Sequence, residues 1–438
     1  MSNPPRLSSQ GLSHQDVLKQ MRDMRAEDAR WQDGRTWSLV YNAGEDIRRL
    51  LAEAYTEFMS ENGLSPFAFP SLRRFESEVL AISAELFHGE GVAGTMTSGG
   101  TESILMAVKT ARDFARAERG ITEPEMVLPA SVHPAFQKAA HYFGVKAVNV
   151  PVGPDFRADV KAMSAAIGPR TVLMVGSAPA YPQGLVDPIT ELAAAAKKRG
   201  VLFHVDACLG GFLLPFARRL GHEVPDFDFA VPGVTSLSAD LHKYGYAAKG
   251  ASVVLYRTPE LRRYQFFTYA DWSGGIYASP SMAGTRPGGA IAAAWAILKY
   301  LGEEGYLKLA GTVLDTARAL REGITAIPGL KLLGAPRLSV FAFSSDTLDV
   351  YALGDAMEAR GWKLDRQMQP PALHLMVTPA HAKVVEPFLA DLRECAASLA
   401  SGAPAPEGSA AMYGMLGTMP DRREAADFIR QFMDAIYE

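Results

Sequence analysis

Cysteine is nearly absent: Cys208 and Cys395 are the two in 438 residues. That excludes a disulfide-held scaffold and fits a reducing, cytoplasmic compartment. Apolar runs long enough to cross a bilayer are missing as well, since the most hydrophobic stretches are broken by His204, Asp206 or glycines. Residues 1–30 are polar, carry Arg22, Arg25 and Arg30 among acids, and hold no apolar leader. No membrane-spanning segment is therefore expected. Charge of one sign is lacking too, with 44 Lys and Arg against 48 Asp and Glu for a net charge of −4. Such a balance points to neither nucleic acid nor a strongly anionic membrane as partner. His133 and His141 share a segment but have no third ligand at suitable spacing, so no metal site is expected. No internal repeat is found.

What the sequence does contain is alternation. At 48% hydrophobic residues the chain can bury a large core and form more than one domain. Helical spacing covers 44–60 and 71–87, with the proline-broken loop ENGLSPFAFP between them. Helix patterns then fall at 101–117, 133–143, 157–166 and 187–199, and strand patterns between them at 126–130, 146–150, 171–176 and 201–206. Further strand patterns occupy 227–239 and 251–257. The fold class this predicts is α/β, a mostly parallel sheet covered on both faces. A long helix from 290 to about 320 leads into a smaller C-terminal α+β unit. There KLLGAPRLSVFAFSS reads as paired strands, DVYALGDAMEARG as a helix, PALHLMVTP as a strand and 382–399 as a helix. The loop SGAPAPEGSA follows. The expected division is an N-terminal segment at 1–70, a large domain at 71–320 and a small domain at 321–438.

Three features carry chemistry. Lys243, in SADLHKYGYAAKG, falls on a tight connection between two strand patterns, beside His242. A lysine is almost wholly protonated at pH 7, so to act as a nucleophile it must be desolvated or crowded by another cation. Asp206 ends the apolar run VLFHVD just before glycines, and a strand end of this kind is where open α/β sheets bind ligands. Ser98, Gly99, Gly100 and Thr101 join a glycine-rich loop to an amphipathic helix, an anion cradle at a helix N-terminus. Cradle, acid and lysine in that order suggest pyridoxal 5'-phosphate, with phosphate, ring nitrogen and Schiff-base lysine as their respective charges.

The runs TSGGTESILMA, HVDACLGGFL, SADLHKYGYAAKG, DWSGGIYASP and AGTRPGG resemble those of the sphingosine-1-phosphate lyases, from about Trp37 to the C-terminus. These are fold-type-I pyridoxal-phosphate enzymes, beside the group II amino-acid decarboxylases. The resemblance implies a fold-type-I transferase architecture and a homodimer with shared active sites, to which the N-terminal segment contributes. It places His133 against the cofactor ring and His242 at the cofactor. Lys249, Tyr41, Ser65 and Tyr413 are placed at the substrate, and Tyr181 in proton transfer or substrate positioning. Tyr41 also reads as a half-buried core tyrosine. Arg286 is either a phosphate contact or an organiser of the dimer interface, the latter being favoured.

The chain departs from the family in two places. Where members show Asn-Pro-Leu-His-Pro-Asp, it has Asn62, Gly63, Leu64, Ser65, Pro66 and Phe67, so a serine replaces the histidine expected at the substrate phosphate. The N-terminal membrane anchor of eukaryotic members has no counterpart in residues 1–30, which suggests a bacterial form. The implied activity is retro-aldol cleavage of phosphorylated long-chain bases to a fatty aldehyde and phosphoethanolamine. Lys243, Tyr181, Tyr41 and the cofactor phosphate are all candidates for the acid and base. The alternative is an amino-acid decarboxylase with the same cofactor residues, against which Lys249 speaks. A scaffold without catalysis is disfavoured because every expected cofactor position is filled.

Overall fold

The computed structural model describes residues 6–65 and 67–437; Pro66, in the loop that departs from the family, lies outside them. The strand patterns assemble into one seven-stranded sheet: β1 Ala93–Thr97, β2 Glu125–Pro129, β3 Lys146–Val150, β4 Thr171–Ser177, β5 Leu202–Asp206, β6 Ser236–Ala239 and β7 Ser252–Tyr256. Their order across the sheet is β1-β7-β6-β5-β4-β2-β3. The pairs β2–β3, β2–β4, β4–β5 and β5–β6 are parallel, whereas β7 runs antiparallel to β6 and to β1. All residues of β2, β4, β6 and β7 are buried, as expected of strands covered on both faces. Helices Ala135–Phe143, Val160–Ala165 and Ile189–Lys198 supply crossovers, so the carboxyl ends of the parallel strands share one edge.

The structure corrects several expected boundaries. Only Ser236–Ala239 of the 227–239 pattern is strand. Phe227, Phe229, Val231 and Val234 are buried without ladder pairing, because Pro232 lacks an N–H and Gly233 passes close beneath the Ala193 carbonyl. Conversely β1, whose glycine and threonines read as loop, is an edge strand in full register with β7. The long helix is Gly288–Thr325, broken at Gly302, whose φ of 53° and ψ of −171° leave helical space. The segment after residue 409 forms two helices, Ala410–Thr418 and Arg422–Tyr437, so Tyr413 rides on a helix.

Beyond the long helix, an antiparallel sheet holds β10 Leu330–Leu332, β11 Val340–Ser345, β12 Asp365–Met368 and β13 Pro371–Met376, in the order β10-β11-β13-β12. A separate hairpin, β8 Phe267–Tyr269 with β9 Tyr277–Ser279, leaves Phe267, Tyr269, Trp272 and Ile276 exposed. Among the described residues no helix is long and apolar enough to cross a membrane.

The N-terminal segment is tied to the small sheet through Trp37. Its N–H donates to the Lys363 carbonyl at 3.1 Å, and its carbonyl accepts from the Met376 N–H at 2.8 Å. The fully buried indole stacks on His381 at 4.1 Å and packs against Trp362 and Phe388. This anchor carries Ser38 and Tyr41 towards the strand-end edge. Trp37→Ala should cost about 3–5 kcal/mol, the range for an emptied aromatic core site, read as a lowered denaturation midpoint at unchanged slope.

Candidate active site

Two adjoining cavities lie at the carboxyl ends of the parallel strands. One, of ≈340 Å³, is lined by Ser98, Gly99, Gly100, Thr101, Asp240 and His242 together with His133, Asp206, Cys208 and Lys243. The other, of ≈270 Å³, shares those last four and adds Ser38, Tyr41, Ser177, Tyr181, Lys249, Asp365 and Met376, among others. Lys243 and Asp206 therefore stand where the two halves meet.

In the first half the chain enters helix Gly100–Arg119 directly from β1, which aims the free N–H groups of the first turn into the cavity. A Cβ on Gly100 would lie 2.7 Å from Asp240 Oδ2 and 2.8 Å from Cys208 Sγ, so only glycine lets the helix start this close. Glu102 takes both donors of Ser98, the N–H and the hydroxyl each at 2.7 Å. This leaves the glycines and Thr101 as the open donors of the cradle. His133 precedes its helix rather than beginning it: the Ala135 N–H donates to Nδ1 at 3.1 Å, which leaves Nε2 to carry the proton. Burial, helped by the Lys243 charge, lowers its pKa against the pull of Asp206. Asp206 Oδ1 accepts from the Cys208 N–H at 3.1 Å, which fixes the carboxylate at the end of β5.

The turn after β6 positions Lys243. Tyr244, fully buried, donates its hydroxyl to the Val377 carbonyl at 2.8 Å, and Tyr306 donates to the Gly245 carbonyl at 2.8 Å. With the two residues that follow it pinned, Lys243 Nζ lies 2.9 Å from Asp240 Oδ2. Burial works against both charges, yet their mutual attraction prevails: the Lys243 pKa is raised and the Asp240 pKa lowered. Of the two expected routes to an activated amine, desolvation is present and crowding by a cation is not, and the neighbouring Asp240 outweighs the burial and holds the lysine as an ammonium. His242 adds no charge at neutral pH, because burial pulls its pKa down to about 4. Asp240 was missed in the sequence because an acid before a lysine in a turn looks like an ordinary surface pair.

In the second half, Tyr181 donates its hydroxyl to Asp365 Oδ2 at 2.8 Å, and Ser38 donates to Asp365 Oδ1 at 3.0 Å. The Tyr181 ring stacks on His374 at 4.2 Å. Lys249 Nζ donates to the Leu39 carbonyl at 2.7 Å and lies 5.5 Å from the Tyr41 ring centroid. Burial, then repulsion from Lys243, lowers the Lys249 pKa. Burial, reinforced by Asp240, raises that of Tyr41, whose hydroxyl donates to Met376 Sδ at 3.2 Å. Asp365 carried no sequence signal, since it sits in KLDRQMQ, a polar edge strand.

Two expected substrate residues line neither cavity. Ser65 is exposed in its loop, its Oγ accepting from the Ala68 N–H at 3.4 Å. Tyr413 lies against Tyr351 at 5.8 Å, with the Arg366 guanidinium 5.8 Å from its own ring centroid. Arg286 forks onto both oxygens of Glu76 and joins helix Pro70–Leu86 to the loop before the long helix.

The pyridoxal-dependent decarboxylase conserved domain matches residues 2–345. The sphingosine-1-phosphate lyase of Oryza sativa subsp. japonica is 45% identical over 98% of this chain and 81% of its own length. That of Rattus norvegicus is also 45% identical, over 98% and 77% respectively. The chain belongs to the sphingosine-1-phosphate lyase family. The structure of a Burkholderia pseudomallei sphingosine-1-phosphate lyase superposes with a TM-score of 0.92 at 39% identity, covering 100% of this chain and 98% of that one. A Lactobacillus brevis glutamate decarboxylase shares the fold alone, with a TM-score of 0.79 at 20% identity over 91% and 95% of the chains. The family's cofactor is pyridoxal phosphate, and the residues present fit it. Asp240 Oδ1 and Ser177 Oγ, each belonging to a residue that lines one half of the site, are buried with no hydrogen-bond partner among the described residues, and the glycines of the cradle line the same cavity as Asp240.

The Asp240–Lys243 pair makes an opposed pH response. In wild type the Asp240 pKa is lowered by folding, so its stabilisation is present above the unfolded value and lost as pH falls through the folded one. In Lys243→Ala the carboxylate is buried without its cation, so its folded pKa rises instead. Cofactor-free Lys243→Ala should lose about 3–5 kcal/mol at neutral pH, and the deficit relative to wild type should shrink on acidification. Lys243→Ala/Asp240→Asn should recover most of it in denaturant titrations.

Proposed function

We propose that this protein is a pyridoxal-phosphate-dependent aldehyde-lyase that cleaves sphingosine 1-phosphate and related phosphorylated long-chain bases to a fatty aldehyde and phosphoethanolamine. The observation that carries this reading is Lys249: a lysine in the substrate half of the cavity, beside Tyr41 and next to Lys243. A phosphorylated substrate brings a phosphate group to meet such a cation, whereas a simple amino acid has no phosphate to place there.

When bound, the cofactor supplies a sink for the electrons of the broken bond. The residues of the chain divide the remaining work. Lys243 would carry the amine that bonds the cofactor's carbonyl carbon. Asp206 would keep the ring nitrogen protonated, His133 would cover a ring face, and the helix start at Gly100, with Thr101 and His242 beside it, would receive the cofactor phosphate. Lys249 holds the substrate phosphate as a point charge with Tyr41 beside it. Burial keeps Tyr41 and Tyr181 in their protonated forms, so neither works as a phenolate.

The assembly in this reading is a homodimer, in which Ser65 and Tyr413 meet the substrate. What supports it is the apolar surface left on one chain: helix His14–Met24 buries no residue and exposes Val17, Leu18, Met21 and Met24. In the same reading segment 1–70 serves the dimer and the site, 71–320 holds the cofactor and 321–438 closes over it. The free, buried cysteines Cys208 and Cys395 fit a cytoplasmic setting, and the source is taken as bacterial.

Mass spectrometry after incubating the cofactor-loaded protein with sphingosine 1-phosphate, alongside a panel of free amino acids, tests this. Long-chain aldehyde and phosphoethanolamine are expected from wild type and not from Lys243→Ala. Lys249→Met should raise KM by about tenfold or more, the worth of a charge-assisted contact, with a smaller change in kcat. Carbon dioxide or an amine from the amino-acid panel, without aldehyde, would replace this function with decarboxylation.

A further inference from the structure

Retro-aldol cleavage requires that the hydroxyl at C3 of the substrate lose its proton, and the phenols of the site cannot take it as phenolates. Tyr181 is nonetheless held in an unusual way. Its carbonyl accepts from His374 Nε2 at 2.8 Å, and its ring stacks on the same imidazole. Its hydroxyl proton is given to Asp365 Oδ2 at 2.8 Å. Asp365 and His374 face each other in the β12–β13 register, so the two grips on Tyr181 come from one rigid pair of strands. The second oxygen of Asp365 accepts from Ser38 at 3.0 Å, which fixes the carboxylate plane. No lysine or arginine pairs with Asp365 among the described residues. A phenol whose only proton is given to a carboxylate presents lone pairs alone to whatever lies opposite. Both side chains line the same cavity half as Lys243.

Resting on the lyase reading, we infer that Tyr181 and Asp365 form a proton relay for the C3 hydroxyl, with Asp365 as a positioning residue that acts through Tyr181. The substrate O–H bond breaks as its proton passes to Tyr181 Oη. The original Tyr181 proton passes in the same motion to Asp365 Oδ2, so the phenol stays neutral throughout. As C3 becomes a carbonyl carbon, the C2–C3 bond breaks and its electron pair remains on the C2 side. The proton held by Asp365 returns by the same route when C2 takes one up, leaving no net proton gained or lost. Burial, then the Asp365 charge, raises the pKa of Tyr181, which a relay tolerates and a phenolate base would not.

The test uses cofactor-loaded enzyme and starts with wild-type aldehyde release from sphingosine 1-phosphate. Asp365→Asn keeps an oxygen for the Tyr181 hydroxyl but cannot take its proton, so kcat should fall about 100-fold or more at little-changed KM. Tyr181→Phe should fall similarly, and the double variant no further. Asp365→Glu should recover part of the loss. A 2-aminoalkyl phosphate lacking the C3 hydroxyl should inhibit wild type and Asp365→Asn with the same constant, because it offers the relay no proton. Wild-type kcat in Asp365→Asn, additive losses in the double variant, or inhibition weakened in step with kcat would each overturn the relay while leaving the lyase in place. No aldehyde from wild type would remove the lyase reading and the relay with it.

Discussion

Parallel strands cannot be joined by a tight turn, and the rest of this molecule follows from that constraint. Each strand from β2 to β6 must return over a face of the sheet before its neighbour begins, so every carboxyl end emerges on the same edge. His133 follows β2, Ser177 ends β4, Asp206 ends β5, and Asp240 and Lys243 follow β6. Residues far apart in sequence thus become neighbours around one cavity without any of the connections being long. Of the two remaining strands only β7 is reversed; β1, antiparallel to β7, runs with β2–β6, and so its carboxyl end brings the start of helix Gly100–Arg119 to the same edge. The cofactor half is in this way a property of the sheet topology, and the side chains refine it.

Charge in that half is arranged so that one buried acid already has its counter-ion and the other is left for a cation to meet. Asp240 neutralises Lys243 at 2.9 Å before any ligand arrives. Asp206 has only backbone and hydroxyl donors near Oδ1, which leaves its charge available to a cation. Burial lowers the pKa of both His242 and His133, so neither adds a charge beside the Asp240–Lys243 pair or Asp206 at neutral pH. A buried ion left without a partner costs several kcal/mol, and this gives a physical reason why acid and lysine sit three residues apart in one turn.

How much of this was legible in sequence depended on where each signal came from. The alternation of patterns placed the parallel core correctly, because fully buried strands and amphipathic crossovers have distinct periods. Lys243, Asp206, His133 and the glycine cradle were legible as well, and the structure brings them to one cavity. β1 escaped because Gly94, Thr95 and Thr97 look like loop, although an edge strand paired on one side needs little apolar content. Residues 227–235 misled in the opposite way, since buried phenylalanines and valines mimic a strand where proline and glycine forbid one. Asp240 and Asp365 were invisible for a shared reason: what makes an acid functional is what it faces, and Ser38, Tyr181 and Asp365 meet only in three dimensions. Ser65 and Tyr413 were placed at the substrate by likeness alone, and within one chain neither lines the two cavities.

Trp37 gives the site an order of assembly. The cofactor half draws its lining from residues 98–243, a continuous stretch of the chain. The substrate half closes on the hydrogen bond from Ser38 to Asp365, which spans 327 residues, and the preceding residue, Trp37, packs on Trp362, His381 and Phe388 from the same far part of the chain. Contacts of such separation carry the greatest loop-closure cost. A growing chain therefore has its cofactor pocket spelled out well before it holds the residues that select a substrate, and the beginning of the chain waits for its end.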